Sequence, residues 1–192
     1  MGDWLVEIVL VRHGETEWSL NGQHTSRTDL SLTATGRERA TRLGPALADW
    51  SFALVLTSPL LRARETCELA GFAGRAKICE DLREWDYGEY EGLTTPQIRD
   101  ANPEWSLWRD GCPGGEQPSQ VGVRADRAIE RLRGAGGDAL AFAHGHIFRV
   151  LTARWLQMEP AGGARFVLSA GAISALGYER ENEVIRLWNS EP

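Results

Sequence analysis

The chain has 192 residues, 42% of them hydrophobic, which is the size of one domain and enough to bury a core without disulfides or a metal staple. A disordered chain, a collagen-like repeat and a small stapled scaffold are excluded. With 27 acidic against 21 basic residues the formal net charge is -6, so neither nucleic acid nor an anionic membrane is an expected partner, while a small anion held by a few arginines is allowed.

The bases are 20 Arg and a single lysine, Lys77. Cys67, Cys79 and Cys112 are odd in number and form no CxxC pair, so neither a disulfide framework nor a zinc ribbon is indicated, and a reducing cytoplasm is the expected compartment. The opening MGDWLVEIVLV is too short an apolar run to span a bilayer and lacks the basic region and cleavage site of a signal peptide. Val6 stands where a myristoylation motif that begins at Gly2 wants Ser or Thr.

In chain order, Leu5 to Val11 is apolar and β-branched and predicts a strand buried on both faces. Thr33 to Trp50 predicts a helix with Thr33 as N-cap and Leu43, Leu47 and Trp50 on its apolar side. Ala53 to Thr57 is a second strand, after which Ser58-Pro59 reads as N-cap and first position of a helix reaching about Ala70. Ala76 to Cys79 is a short third strand. From Leu82 to about Pro118 regularity is lost, and Trp85, Tyr87, Tyr90, Trp105 and Trp108 mark an insertion with short helices that covers something. Val121 to Arg133 is an amphipathic helix ending at Gly134, Ala139 to Ala143 the fourth strand, and Ile147 to Gln157 a helix. Ala172 to Tyr178 and Glu183 to Trp188 form a closing hairpin whose turn is Arg180 to Asn182. The alternation predicts one α/β domain over residues 1–192 with a mostly parallel, doubly wound sheet covered by helices on both faces, an α/β/α sandwich of three layers.

Ligands of such sheets bind beyond the carboxyl ends of the strands. Three of the four histidines fall there: His13 after the first strand, and His144 and His146 after the fourth. Parallel neighbours bring Arg12, His13, Arg62 and His144 to one edge, with a helix N-terminus beside them. Guanidinium groups offer paired donors to phosphate oxygens and the helix end adds positive charge, so the edge reads as a phosphate pocket. A neutral histidine aimed at phosphorus can then form a covalent phosphoramidate.

Val11-Arg12-His13-Gly14-Glu15-Thr16 with Trp18, Leu30 to Gly36 (LSLTATG), Thr57-Ser58-Pro59 with Arg62 and Glu65-Thr66, and Ala143-His144-Gly145-His146 with Arg149 together resemble the histidine phosphatase superfamily, or phosphoglycerate mutase-like family, over nearly the whole chain. The resemblance implies that family's fold and a set of roles. His13 is implied as the nucleophile, Arg12, Arg62 and His144 as holders of the phosphoryl group, and Gly145 as a neighbour of that group. Among the acids Glu80, Asp81, Glu84, Asp86, Glu89 and Glu91, it singles out Glu84 to protonate the leaving oxygen and later activate water. Ser19 and Ser26 stand where many members have Asn and Gly, and Thr25 with the backbone near Ser26 is expected to donate to a phosphate oxygen. His24 is either a substrate contact or a solvated loop residue, and His146 is expected to support the site. Trp105, Trp108 and Tyr90 read as packing of the insertion.

Glu84 to Arg99 and Gly111 to Glu116 resemble the small bacterial acid phosphatases, and the former also resembles fungal sedoheptulose bisphosphatase. This implies hydrolysis of a small phosphorylated metabolite without metal or other cofactor, with a cofactor-dependent phosphoglycerate mutase as the alternative. A metal hydrolase using His13, His144 and His146, and a non-catalytic phosphate-binding protein, are the readings from other classes. An edge strand near the chain end offers pairing in a homodimer.

Overall fold

The computed structural model describes residues 6–192. Strand β1 (Ile8–Arg12) begins after the described terminus, so Leu5 of the predicted strand, like the leader reading that rests on Met1 to Leu5, lies outside the described residues. There follow helix α1 (Glu17–Asn21), helix α2 (Ala34–Ala46), strand β2 (Leu54–Thr57), helix α3 (Leu61–Leu69) and strand β3 (Ala76–Ile78). The aromatic segment contains short 3-10 turns at Glu80–Leu82 and Gly88–Tyr90, then helices α4 (Thr95–Ala101) and α5 (Leu107–Asp110). Helix α6 (Pro118–Arg133), strand β4 (Ala139–Ala143), helix α7 (Gly145–Trp155) and the hairpin strands β5 (Ile173–Glu179) and β6 (Asn182–Ser190) complete the chain.

The six strands lie in the order β3-β2-β4-β1-β5-β6. The first four are mutually parallel, whereas β5 runs antiparallel to β1, and β6 to β5, so the sheet is mixed but mostly parallel. Alternation along β1 explains its unbroken apolar run: Ile8 and Leu10 join the core on one face, Val9 and Val11 the core on the other. On the first face α6 and α7 contribute Val121, Ala125, Leu132, Ile147 and Leu151; on the second α2 contributes Ala40 and Leu43, and α3 Cys67. Helices of this length are marginal alone in water, so these apolar stripes hold them. The three layers agree with the sequence expectation.

Several helix boundaries differ from it: α6 starts at Pro118 and not Val121, α7 runs from Gly145 to Trp155 and not from Ile147 to Gln157, and α2 and α3 differ as follows. Thr33 caps α2, its side chain accepting from the Gly36 amide at 3.0 Å, but the helix stops at Ala46, one residue past Pro45 and short of Trp50. Ser58-Pro59 does not open α3, whose N-cap is Leu60 without a side-chain bond. Ser58 instead turns its hydroxyl to His144, at 2.7 Å from Nε2. In the hairpin Asn182 already pairs with Glu179, leaving Arg180 and Glu181 as the turn, with Arg180 at φ 57°. At the far edge, β3 presents Lys77 and Ile78 to solvent.

Register fixes the working edge. Arg12 lies opposite Ala143 and Thr57 opposite Phe142, so His13, Ser58 and His144 leave the sheet side by side. Because β5 is antiparallel, the segment before it arrives at this same edge: the Gly171 amide donates to the His13 carbonyl and the Arg12 amide to that of Ala172.

Candidate active site

His13 is almost wholly buried, and its Nδ1 donates to the Gly14 carbonyl at 2.7 Å. That bond fixes the tautomer and leaves Nε2 with the lone pair. Burial first, and then the Arg62 and Arg12 cations, holds the ring well below the ordinary histidine range, so it is neutral near pH 7. The loop after it is braced from two sides. The Gly14 amide donates to Thr66 Oγ1 at 2.9 Å, and Gly36 of α2 packs so closely that a Cβ there would lie 2.3 Å from the Glu15 carbonyl.

Arg62 is fully buried, with Nη1 donating to the Thr28 carbonyl and Nη2 to those of Thr25 and Ser26. Arg12 donates through Nη1 to the Leu168 carbonyl, and its guanidinium lies against Gly145, where a Cβ would approach it to 3.3 Å. The His144 ring is 5.1 Å from that of His13, and burial followed by the nearby Arg62 keeps it neutral as well. Among the described residues, four buried side-chain polar atoms lack a hydrogen-bond partner, and three belong to this group: Arg12 Nε, Arg62 Nε and His144 Nδ1. Buried polar atoms are ordinarily satisfied, so three on adjoining residues, two of them guanidinium donors, suit an oxygen-rich anion.

Arg12, His13, Glu84 and Gly145 line a cavity of about 270 Å³ with Thr16, Ser19, Gln23, His24, Thr25, Tyr87, Thr95, His146, Arg149 and others. Glu84 is buried, and its carboxylate accepts from the amides of Trp85 (2.9 Å), Ile147 (2.9 Å) and His146 (3.0 Å), two of them at the N-terminal end of α7. The acid is thus tied to the helix that begins beside His144.

The remaining predicted residues divide. Thr25 lines the cavity, while Ser19 lines it with its hydroxyl engaged in capping α1, donating to the Thr16 carbonyl and accepting from the Thr16 amide. The Ser26 amide, expected to meet a phosphate oxygen, is already committed to the Glu91 carboxylate at 2.9 Å, and Ser26 lines a second cavity that shares Glu84 with the first. His24 is no solvated loop residue: it is buried against Tyr87 and Trp105, and burial lowers its pKa to about 4. His146 forms part of the cavity wall, and its Nδ1 shares a hydrogen bond with the Tyr87 hydroxyl at 2.6 Å. Trp105 and Trp108 are packing residues, Trp108 supporting Arg149 at 4.5 Å.

Sequence reasoning assigned no role to Tyr87, Thr95, Arg149 or Leu168, although all four line the cavity. For Arg149 a signal existed, since it lies four residues after Gly145 on α7 and so on the same helix face. No local pattern marks the others.

An α/β sandwich that buries a neutral histidine among guanidinium groups beyond the ends of its parallel strands has the build of a phosphoryl-transfer enzyme. The chain belongs to the histidine phosphatase superfamily (branch 1), whose family model matches residues 8–191, and it is a phosphatase. It is 42% identical over 178 residues to an acid phosphatase of Mycobacterium tuberculosis, covering 90% of this chain and 86% of that one. It is 40% identical over 179 residues to the sedoheptulose 1,7-bisphosphatase of Saccharomyces cerevisiae, covering 77% of this chain and 66% of that one. The solved structure of an open reading frame product from Mycobacterium tuberculosis matches with a TM-score of 0.92 at 39% identity, over 97% of this chain and 98% of that one. These are the two kinds of relative that the motifs resemble.

Proposed function

We propose that the chain is a metal-independent phosphomonoesterase that passes the phosphoryl group through His13. The observation that carries this reading is the pairing of a His13 lone pair, freed by the Gly14 carbonyl, with three unpartnered donors on Arg12, Arg62 and His144. The guanidinium groups and His144 receive the phosphoryl oxygens. His144 Nε2 is engaged by Ser58 Oγ at 2.7 Å, and in this reading the ring proton sits on the unpartnered Nδ1, where it serves as a donor. His13 Nε2 attacks phosphorus, the ester P–O bond breaks, and Glu84 gives its proton to the leaving oxygen. Water then attacks the phosphohistidine while Glu84 takes back a proton, the P–N bond returns its electrons to Nε2, and inorganic phosphate leaves.

Beyond the phosphoryl end the cavity offers Gln23, His24, Thr95, Tyr87 and His146 as hydrogen-bonding groups and Arg149 as a cation. Its small volume and this lining support a hydroxyl-rich phosphate or bisphosphate of sugar size, in keeping with the activities named for the two relatives. Three free, buried cysteines support a cytoplasmic setting, and no helix among the described residues is long and apolar enough to cross a membrane. The family model's span over residues 8–191 supports one domain.

Rapid quenching with a phosphomonoester should trap acid-labile, base-stable phosphate on the wild-type chain and none on His13→Ala, with full activity in strong chelator. Activity lost to chelator, or label retained in His13→Ala, overturns the reading. A panel of phosphorylated metabolites scored for free phosphate and for mutase product then assigns the substrate.

A further inference from the structure

Arg124 lies on α6 and does not line the cavity that holds His13, yet it grips the segment that carries Glu84. Its Nη1 donates to the carbonyls of Asp81 (2.8 Å) and Arg83 (3.1 Å), and its Nη2 reaches that of Glu84 at 3.5 Å. Glu116 holds the same guanidinium by two bonds of 2.7 Å, Nε to one oxygen and Nη2 to the other. Glu116 also completes the frame: its Oε2 accepts from the Asp86 amide (2.9 Å), its carbonyl accepts from the Trp85 indole (3.0 Å), and its own amide donates to the Asp86 carbonyl (2.9 Å). Residues 83–87 belong to no helix or strand, so no repeating ladder sets the backbone around the acid. The pair is mostly buried, at 15% and 20% exposure.

We propose that the Arg124–Glu116 pair is the positioning element of Glu84, fixing where its carboxyl meets the leaving oxygen without touching substrate. The proposal rests on the reading of Glu84 as proton donor. Two of the amides that bind its carboxylate come from α7, so α7 orients the oxygens while α6, through Arg124, sets the backbone from which they hang. Proton transfer needs an approach of about 2.6–3.2 Å, which a small shift of an irregular segment removes. A guanidinium suits the task because its planar donors serve three carbonyls and one carboxylate together; an ammonium offers three donors at a single point.

The test compares kcat/KM for β-glycerol phosphate, whose alkoxide leaving group needs a proton, with that for p-nitrophenyl phosphate, whose phenolate scarcely does. This ratio does not change with the fraction of inactive protein, so a partly unfolded preparation still reports. Arg124→Lys, which keeps the charge, and Glu116→Gln should each lose about tenfold or more on β-glycerol phosphate beyond any loss on p-nitrophenyl phosphate. Vanadate inhibition should stay within about threefold, because the phosphoryl holders are untouched. Equal losses on both substrates, or vanadate inhibition weakened in step, would show a merely structural pair and overturn the proposal. Glu84→Gln is the reference. If it shows the selective loss and the other two variants do not, the positioning role falls while the acid assignment stands; if it shows none, the acid assignment fails and the proposal with it.

Discussion

Arg62 ties two stretches of chain together: its helix contributes the guanidinium, and the loop at Thr25, Ser26 and Thr28 contributes the carbonyls that hold it. Charge-assisted bonds to an anion contribute about 1.5–3 kcal/mol each, so Arg62→Ala should weaken vanadate inhibition about 10- to 100-fold. Unchanged inhibition would remove Arg62 from the phosphate site. Tyr87 carries a different kind of contact, a buried phenol held well above its ordinary titration range by burial and by Glu84, and so a neutral hydrogen-bond partner of His146. Tyr87→Phe should cost about 1 kcal/mol in denaturant unfolding. It should also raise KM more than it lowers kcat, since Tyr87 and His146 both line the cavity; a pure kcat effect would place Tyr87 in the chemistry instead. His13 and His144 were legible in the sequence because they follow apolar strands in a chain with only four histidines. Tyr87 and Leu168 were not, because only tertiary packing carries them to the sheet edge.

Between elements the tightest approach in the loop that follows His13 is that of α2 to β1's exit, where Gly36 meets the backbone of Glu15. A methyl there collides with the main chain of Glu15, so Gly36→Ala should destabilise by roughly 1–3 kcal/mol, with Tm lower by about 2–4 °C per kcal/mol. Activity should fall with it, because the displaced loop carries His13; a variant with wild-type Tm and rate would show that the loop yields freely. Strands were legible from their apolar runs, and β4 lies where Ala139 to Ala143 predicted it. Helix ends were less so. Ser58-Pro59 has the form of a helix start, but the serine serves a histidine on another strand's end, a partnership invisible to local pattern. Helices α1 and α4 are each set by a capping box, at Thr16 with Ser19 and at Thr94 with Gln97, without a long apolar stripe to announce them.

Across the molecule all four histidines have lowered pKa values, chiefly from burial. Unfolding exposes each to its ordinary value near 6.5, so the unfolded chain binds more protons and stability rises with pH wherever that difference persists. The sign is therefore that stability is complete above about pH 6.5 and is lost as pH falls below it, with His24 contributing down to about 4 and the other three further. Each histidine in this window adds up to ~1.4 kcal/mol per pH unit, and Tm measured between pH 7 and 5 should fall accordingly. For the same reason the acid limb of kcat/KM should lie well below 6.5, since His13, the proposed nucleophile, remains unprotonated there. A limb near 6.5 would mean that His13 is solvated in the working enzyme.

With every histidine neutral, the positive charge of the site is carried by guanidinium alone. The chain's one side-chain amine, Lys77, stands exposed on edge strand β3 and contributes nothing to the cavity wall. Reagents that couple to lysine thus meet one side-chain address in this sequence beside the α-amine, and it lies outside the cavity. The edge strand is a ready tether point for a dye or a solid support that leaves the arginine-lined pocket chemically intact.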